Sequence, residues 1–139
     1  MLFHEQNGLR FYSFDIFSNA VKQAVFTRRG GVSPAPWHSL NLGGSVGDDP
    51  ARVAENRIHA FHTMGCDPAS IHDVWLVHGT SIVYADAPRP LEKPSAQADI
   101  LFTDNPNVSL FMRFGDCVPI MFHDPVKNII GIAHAGGMG

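Results

Sequence analysis

Two apolar strands joined by an Asp-Pro turn constrain the fold of this chain more than any other feature. Residues 118–123 and 129–133 are rich in β-branched and aromatic side chains, and a turn signal, Asp124-Pro125-Val126-Lys127, separates them. Both strands are apolar on both faces, so we expect their sheet to be covered on both sides. Four further strand signals precede this pair and make the second half of the chain β-rich: residues 74–77, 81–85, 100–103 and 108–114.

The turn also predicts which side chains meet. If residues 124–127 form a four-residue turn, Asp124 faces Lys127 and Cys117 lies opposite His134. Directly opposed residues of antiparallel strands point to one face, with Cβ atoms about 4.5–5.5 Å apart. A thiolate and an imidazole at that distance can share a metal ion, or the imidazole can take the proton of the thiol. A bulge at Asn128 would shift this register by one residue.

The first half of the chain predicts a strand over residues 21–27, a long loop and one helix. The loop, residues 28–47, is dense in Gly, Pro and Ser, and loops of about 20 residues inside a compact domain are usually functional or mobile. Asp49 before Pro50 is typical of a helix start, and Gly65 is typical of a helix end.

Composition excludes several classes of protein. The 139 residues are 45% hydrophobic and 17% charged, as in ordinary globular domains. A formal charge of −3 with only 10 Lys+Arg argues against a nucleic-acid partner. No apolar run reaches the ~20 residues that a membrane span needs, and the first residues do not read as a signal peptide. We therefore expect a cytoplasmic protein without a membrane partner, in which two cysteines do not form a disulfide framework.

Three side chains at junctions between strands and loops can carry chemistry: His78, Cys117 and His134. Together they would make a site of two histidines and one cysteine, and zinc sites with three protein ligands keep a fourth position for water or substrate. Taken singly, a buried core cysteine and hydrogen-bonded structural histidines remain the alternatives. Arg28 and Arg29, beside Gly30-Gly31, can bind an anion, although a solvated basic turn is the preferred interpretation of these residues alone.

A series of motifs identifies a family. In chain order the motifs are Thr27-Arg28-Arg29-Gly30-Gly31-Val32-Ser33, Ser39-Leu40-Asn41-Leu42-Gly43, Gly47-Asp48-Asp49-Pro50 with Glu55-Asn56-Arg57, Val77-His78-Gly79, Asp116-Cys117-Val118-Pro119 and His134-Ala135-Gly136. With these motifs the chain resembles the YfiH-like family, labelled polyphenol oxidase or multicopper laccase-domain proteins and regarded as purine nucleoside enzymes.

The resemblance implies an α+β fold of mixed β-sheets flanked by helices, a YfiH-like cysteine-hydrolase-type fold. Residues 1–139 would form a single YfiH-like laccase domain, its N-terminal part only. The resemblance further implies zinc, held by His78, Cys117 and His134. The implied activity is phosphorolysis of adenosine, inosine, guanosine and methylthioadenosine, together with deamination of adenosine. The partners would then be a purine nucleoside and phosphate.

Roles for individual residues follow from the same resemblance. Cys117, His134 and Asp116 would be catalytic, with Asp116 as an acid–base group or as a support for the metal ligands. Arg28 would hold phosphate, and Ser33 and Asn41 would be polar contacts to the substrate. Copper fits less well than zinc, because multicopper oxidases commonly use His-x-His pairs and this chain has none.

Three other functions stay open at the level of sequence. Cys117 with His134 as its base would make a cysteine hydrolase or deamidase. The name polyphenol oxidase, which the family carries, would make the chain a copper oxidase of phenols. An inactive, truncated binding module is the third, because the chain reads Gly137-Met138-Gly139 where the family usually continues Trp-Arg-Gly. If no further chain or partner exists, apolar surface on the final strands should be exposed and the protein should self-associate.

Overall fold

The computed structural model describes residues 1–91 and 93–137. Gly137 and Met138 stand where the family usually has Trp-Arg, and Met138 and Gly139 lie outside the described residues. The chain divides into two compact units, Met1–Pro68 and Ala69–Gly139. In chain order the elements are β1 (Leu2–Gln6), β2 (Leu9–Ser13), a 3-10 helix (Asp15–Phe17), β3 (Val25–Phe26), α1 (Pro50–Thr63), a second 3-10 helix (Pro68–Ser70), β4 (Ile71–Asp73), β5 (Ile82–Tyr84), β6 (Ile100–Thr103), β7 (Ser109–Phe111), β8 (Val118–Asp124) and β9 (Ile129–Ala135).

The first unit opens with a β-hairpin that the sequence analysis did not predict. Asn7 and Gly8 connect β1 to β2 with φ values of 52° and 79°, as the two central residues of a type I′ turn require. The strand predicted over residues 21–27 is confirmed only over Val25–Phe26, which pairs with β2. An Asn-Gly pair between two strand-forming runs is a strong hairpin signal, so this element was readable from the sequence.

Helix α1 begins and ends as predicted. The Asp49 side chain accepts a hydrogen bond from the Ala51 N–H, and Pro50 occupies the first turn. Gly65 follows the helix with φ +64°, the left-handed conformation that favours glycine at a helix end. The long loop before α1, residues 28–47, contains neither helix nor strand, which confirms that prediction. The buried residues Leu9, Leu40 and Ala60 form the core of this unit.

The second unit contains two sheets. Strands β4 and β7 pair in parallel, and a four-stranded sheet has the order β5-β6-β9-β8. In the larger sheet β5 and β6 are parallel and the other pairs are antiparallel, so the sheet is mixed. Together with α1, this confirms the α+β class. No helix in the described residues is long and apolar enough to cross a bilayer.

The two faces of the four-stranded sheet differ. Leu101 is completely buried, and Val83 and Ile132 pack against the core that contains it. On the opposite face, Val118 is 60% exposed and Ile120 is 51% exposed. The prediction that both faces of this sheet are covered is therefore wrong for the described part of the chain. The second face carries apolar side chains, but no described residue buries them.

The register of the hairpin between β8 and β9 also corrects a prediction. Asp124 pairs with Ile129, so Pro119, and not Cys117, lies opposite His134. The connection is longer than predicted because Asn128 adopts φ +56° and the Asp124 carboxylate accepts the N–H groups of Val126 and Lys127. Since the register moved by two residues, and side chains alternate with period two, the positions of Cys117 and His134 remain on one face.

Candidate metal centre

Three side chains of the second unit converge as the sequence predicts: His78, Cys117 and His134. One potential ligand atom from each lies within 4.8 Å of the other two. The Cys117 Sγ is 3.9 Å from the His78 Nε2, and the two imidazole rings meet edge to face at 4.8 Å between centroids. Cys117 directly precedes β8, His134 lies in β9, and His78 lies in the loop before β5. Long-range strand pairing thus gathers ligands that are far apart in the sequence.

Asp99, immediately before β6, organises this cluster. Its Oδ1 accepts the His78 N–H at 2.9 Å, and its Oδ2 accepts the Gly79 N–H at 2.8 Å. The His134 Nδ1 lies 2.7 Å from the same Oδ1. Burial raises the pKa of this carboxyl, but the hydrogen bonds from Gly79, His134 and their neighbours outweigh that effect and lower the pKa to about 2. Asp99 is therefore a buried carboxylate at neutral pH.

The backbone at His78 is unusual for a residue with a Cβ. His78 has φ +60°, in the left-handed region that costs an L-residue conformational energy. The N–H groups of Val77, His78 and Gly79 all point to Asp99 and hold this loop in place. As a result the imidazole of His78 is directed toward Cys117 and His134.

The donor set fits a zinc ion. Thiolate sulfur and imidazole nitrogen are the ligands of zinc sites, and bond lengths of about 2.0–2.3 Å put tetrahedral donor atoms about 3.3–3.6 Å apart. The three donors lie up to 4.8 Å apart, so they would have to move closer together to hold one ion. Gly136 leaves room for the cluster, since a Cβ on it would lie 2.8 Å from the His78 Cδ2. Three protein ligands would keep one tetrahedral position for water or substrate.

The other predicted catalytic residue, Asp116, lies next to Cys117 and is exposed. It is not a member of the group formed by His78, Cys117 and His134. Its role as an acid–base group stays a prediction. Asp99, in contrast, was missed by the sequence analysis. An aspartate between Ala98 and the apolar strand Ile100–Thr103 was the available signal, because a carboxylate is rarely buried without a specific partner.

The predicted substrate residues Arg28, Ser33 and Asn41 belong to the first unit. Arg28 lines a cavity of about 210 Å³ together with Arg29 and His38, and Gly30 and Ser39 complete its wall. Ser33 and Asn41 instead bind the buried Asp48, whose Oδ2 accepts the Ser33 hydroxyl at 2.5 Å and the Asn41 amide at 3.1 Å.

Asp48 resembles Asp99 in its electrostatics. Burial raises its pKa, and hydrogen bonds from Ser33, Asn41 and the Arg52 guanidinium more than compensate and lower it to about 2. Of the three predicted substrate residues, only Arg28 lines the cavity, while Ser33 and Asn41 hold the loop through Asp48.

Known proteins similar to this chain fall into one family. The family described as multi-copper polyphenol oxidoreductase laccase matches residues 22–139. A purine nucleoside phosphorylase of Streptomyces griseus is 44% identical over 118 residues, which cover 83% of this chain and 47% of that protein. A purine nucleoside phosphorylase of Pseudomonas aeruginosa is 40% identical over 121 residues, 86% of this chain and 46% of its own length.

Solved structures agree with the sequence matches. The crystal structure of the Bacillus licheniformis hypothetical protein YfiH superposes with a TM-score of 0.85 at 32% identity, over 96% of this chain and 52% of that one. YlmD from Geobacillus stearothermophilus gives a TM-score of 0.81 at 30% identity, over 96% of this chain and 51% of that one. The chain thus spans about half the length of the relatives it matches. In sequence and fold alike, the chain belongs to the YfiH-like family, described as multi-copper polyphenol oxidoreductase laccase.

Proposed function

We propose that this chain carries the zinc site of a purine nucleoside phosphorylase that releases the base from adenosine, inosine, guanosine and methylthioadenosine and also deaminates adenosine. The observation that carries the proposal is the convergence of His78, Cys117 and His134 in a sequence whose relatives are named purine nucleoside phosphorylases. When bound, zinc would supply a Lewis acid and would lower the pKa of a bound water, which the deamination of adenosine consumes. Phosphorolysis uses phosphate in place of water.

The residues around the site have separate tasks in this proposal. His78, Cys117 and His134 bind the metal, and Cys117 and His134 border the position left for substrate. Asp116, exposed beside Cys117, would donate a proton to the departing purine base or accept one from water. Asp99 is already bonded to three backbone N–H groups and one imidazole, so its oxygens are occupied.

The cavity of the first unit supports a phosphate subsite. Arg28 and Arg29 lie on its wall with His38, and guanidinium groups form strong bidentate hydrogen bonds to phosphate oxygens. We assign the phosphate to Arg28. The direct substrate contacts predicted for Ser33 and Asn41 stay predictions, because both side chains already bind Asp48.

The test begins with metal content. We expect the purified chain to bind one zinc ion and, with inosine and phosphate, to release hypoxanthine, while adenosine yields ammonia. His134→Ala should abolish both products, whereas His123→Ala, on the same hairpin but outside the cluster, should leave both unchanged. Zinc binding without release of base or ammonia would contradict the proposed reactions. Such a result would favour the inactive binding module.

A cysteine hydrolase or deamidase is the second candidate, and one contact favours it. The imidazole that contacts the thiol is that of His78, whose Nε2 lies 3.9 Å from the Cys117 Sγ, so His78 would take the proton in this version. The predicted base, His134, is instead held by Asp99. Iodoacetamide distinguishes the two functions. If zinc occupies the site, added zinc should protect Cys117 from alkylation; alkylation at the same rate with and without zinc would favour the hydrolase.

A polyphenol oxidase with several coppers is supported less well. Within residues 1–91 and 93–137, His78, Cys117 and His134 are the one group of three or more potential metal ligands. A single site of two histidines and one cysteine suits one copper and one-electron transfer. Loading with copper and assaying a phenolic substrate under oxygen would test this directly, and we expect no turnover.

For the chain by itself, without further chain or a partner over the sheet, the proposal includes self-association, because the four-stranded sheet exposes apolar side chains. Val118, Ile120 and Phe122 are 60%, 51% and 39% exposed on one face of β8. We expect light scattering to detect species larger than the monomer at high concentration. Ile120→Thr should shift the mass toward the monomer, whereas Val126→Thr, at a turn residue that is 91% exposed, should not. A strictly monomeric chain would contradict this expectation.

The cytoplasmic location also stays a prediction.

A further inference from the structure

We propose that Asp99 is the positioning residue of the metal centre: one carboxylate fixes the tautomer of His134 and holds the loop that carries His78. The inference rests on the proposed zinc site and adds to it a residue that does not touch the metal.

The Asp99 carboxylate accepts four hydrogen bonds. Its Oδ1 receives the His78 N–H at 2.9 Å and the His134 Nδ1 at 2.7 Å. Its Oδ2 receives the Gly79 N–H at 2.8 Å and the Val77 N–H at 3.2 Å. Each oxygen thus accepts two hydrogen bonds. The Asp99 side chain is 1% exposed, so water does not compete for these oxygens.

One of these hydrogen bonds is with His134. A neutral imidazole carries one proton, and an ionised carboxylate only accepts hydrogen bonds, so the proton must lie on Nδ1. The Nε2 lone pair is then free for a metal. The main chain fixes the same histidine, because the His134 N–H donates to the Asp99 carbonyl at 2.8 Å. Asp99 therefore sets both the position of the ring and the nitrogen that it offers.

The other three are with backbone N–H groups around His78. Its left-handed backbone, φ +60°, is stabilised by three successive N–H groups that share the Asp99 carboxylate. Without this acceptor the loop has no reason to keep a conformation that an L-residue disfavours. The carboxylate therefore couples two ligands that come from different segments of the chain.

The sharpest variant is Asp99→Asn. An amide keeps one acceptor oxygen and replaces the other by an NH₂ group, which only donates. If the NH₂ group faces His134, the ring must take the Nε2–H tautomer, and Nε2 then has no lone pair for a metal. If the NH₂ group faces Gly79, the Val77 and Gly79 N–H groups of the loop lose their acceptor. Either orientation damages the site, whereas the volume of the side chain is unchanged.

Zinc affinity is the first measurement, by competition with a chromophoric chelator at fixed pH. We expect Asp99→Asn to weaken zinc binding about 10–100-fold, the usual effect of removing a partner of a metal-bound histidine. Asp48→Asn is the matched control: Asp48 is also buried and also accepts four hydrogen bonds, but none comes from a metal ligand. We expect the control to bind zinc like the wild type.

The tautomer of His134 is the second measurement, made on the metal-free protein by ¹⁵N NMR of the imidazole. The expected result is an Nδ1–H ring in the wild type and in Asp48→Asn. An Nε2–H ring in the wild type would overturn the proposal, even if Asp99→Asn fails to fold. Equal zinc affinity of wild type and folded Asp99→Asn would also overturn it. If the wild type has the Nδ1–H ring but binds no zinc, the proposed function fails while the positioning by Asp99 stands.

Discussion

Asp48 of the first unit and Asp99 of the second are buried aspartates that each accept four hydrogen bonds, and their partners differ. The Asp48 side chain is 0% exposed and the Asp99 side chain is 1% exposed, and both have a pKa of about 2. Asp48 binds two side chains of its loop, one N–H and the cationic Arg52. Asp99 binds three N–H groups and the imidazole of His134.

The difference teaches what a buried carboxylate can do. Arg52 neutralises Asp48, so its charge is used within the loop and stabilises structure. The Asp99 carboxylate accepts three backbone N–H groups and the His134 ring, so its charge acts on the loop of His78 and on that ring. Asp48 and Asp99 are therefore similar in burial and in pKa, but Asp48 stabilises a loop of the first unit and Asp99 orders the candidate metal centre of the second.

The largest expected effect separates the two units. His134→Ala removes one of three ligands and should weaken zinc binding by more than about 100-fold, beyond the effect of losing a supporting hydrogen bond. Asp48→Asn should leave zinc binding unchanged. Isothermal titration of zinc into both variants checks this. If His134→Ala and Asp48→Asn lose zinc affinity to a similar extent, zinc binding depends on the first unit as well, and the contrast between the two aspartates fails.

A second prediction concerns stability, with Asn56→Ala in the first unit. Asn56 is 1% exposed, accepts the Val32 N–H at 2.9 Å and donates to the Asn41 carbonyl at 2.9 Å. Alanine leaves these buried groups without partners, which should lower the free energy of unfolding by about 2 kcal/mol. Urea denaturation measures the loss. A variant as stable as the wild type would show that the loop does not depend on these contacts.

Much of the fold could be predicted because its signals are local. Strand β6 has the predicted bounds, and α1 begins at the predicted Asp49-Pro50 pair. Strand β4 was placed at residues 74–77 but is Ile71–Asp73, since its position is set by parallel pairing with β7, 36 or more residues away in the chain. Pairing over that distance leaves no trace in the composition of either segment.

The candidate site was predictable to the same degree. His78, Cys117 and His134 stand in short motifs at strand ends, and the structure brings these side chains together. The detailed contact was wrong, because the turn at Asn128 changed the register and put Pro119 opposite His134. Asp99 could not be found by spacing, since its role depends on two other segments that meet it only in the folded chain.

A smaller effect is expected from Gly136→Ala. The added Cβ would lie 2.8 Å from the His78 Cδ2, so the ring must shift from its position in the cluster. We expect zinc affinity to fall about tenfold, as for other disturbances of ligand orientation. Gly137→Ala is the matched control, since nothing lies within 4 Å of its added Cβ. Chelator competition on both variants checks the prediction, and equal affinities would show that the His78 ring is free to shift.

The smallest expected effect is the pH dependence that Asp48 contributes. Its pKa in the folded chain is about 2, below the value of 3.8 that it has when unfolded, so the unfolded state binds its proton at higher pH. The stability from Asp48 is therefore fully present above pH 3.8 and is lost as the pH falls through about 2. Asp48→Asn has no such group, so its melting temperature should lie below that of the wild type at pH 6, and the difference should narrow toward pH 2. Thermal unfolding of both proteins at a series of pH values measures it. If the difference in melting temperature stays constant with pH, Asp48 stabilises the fold through its hydrogen-bonding geometry and not through its charge. Asp48 and Asp99 would then resemble each other in geometry only.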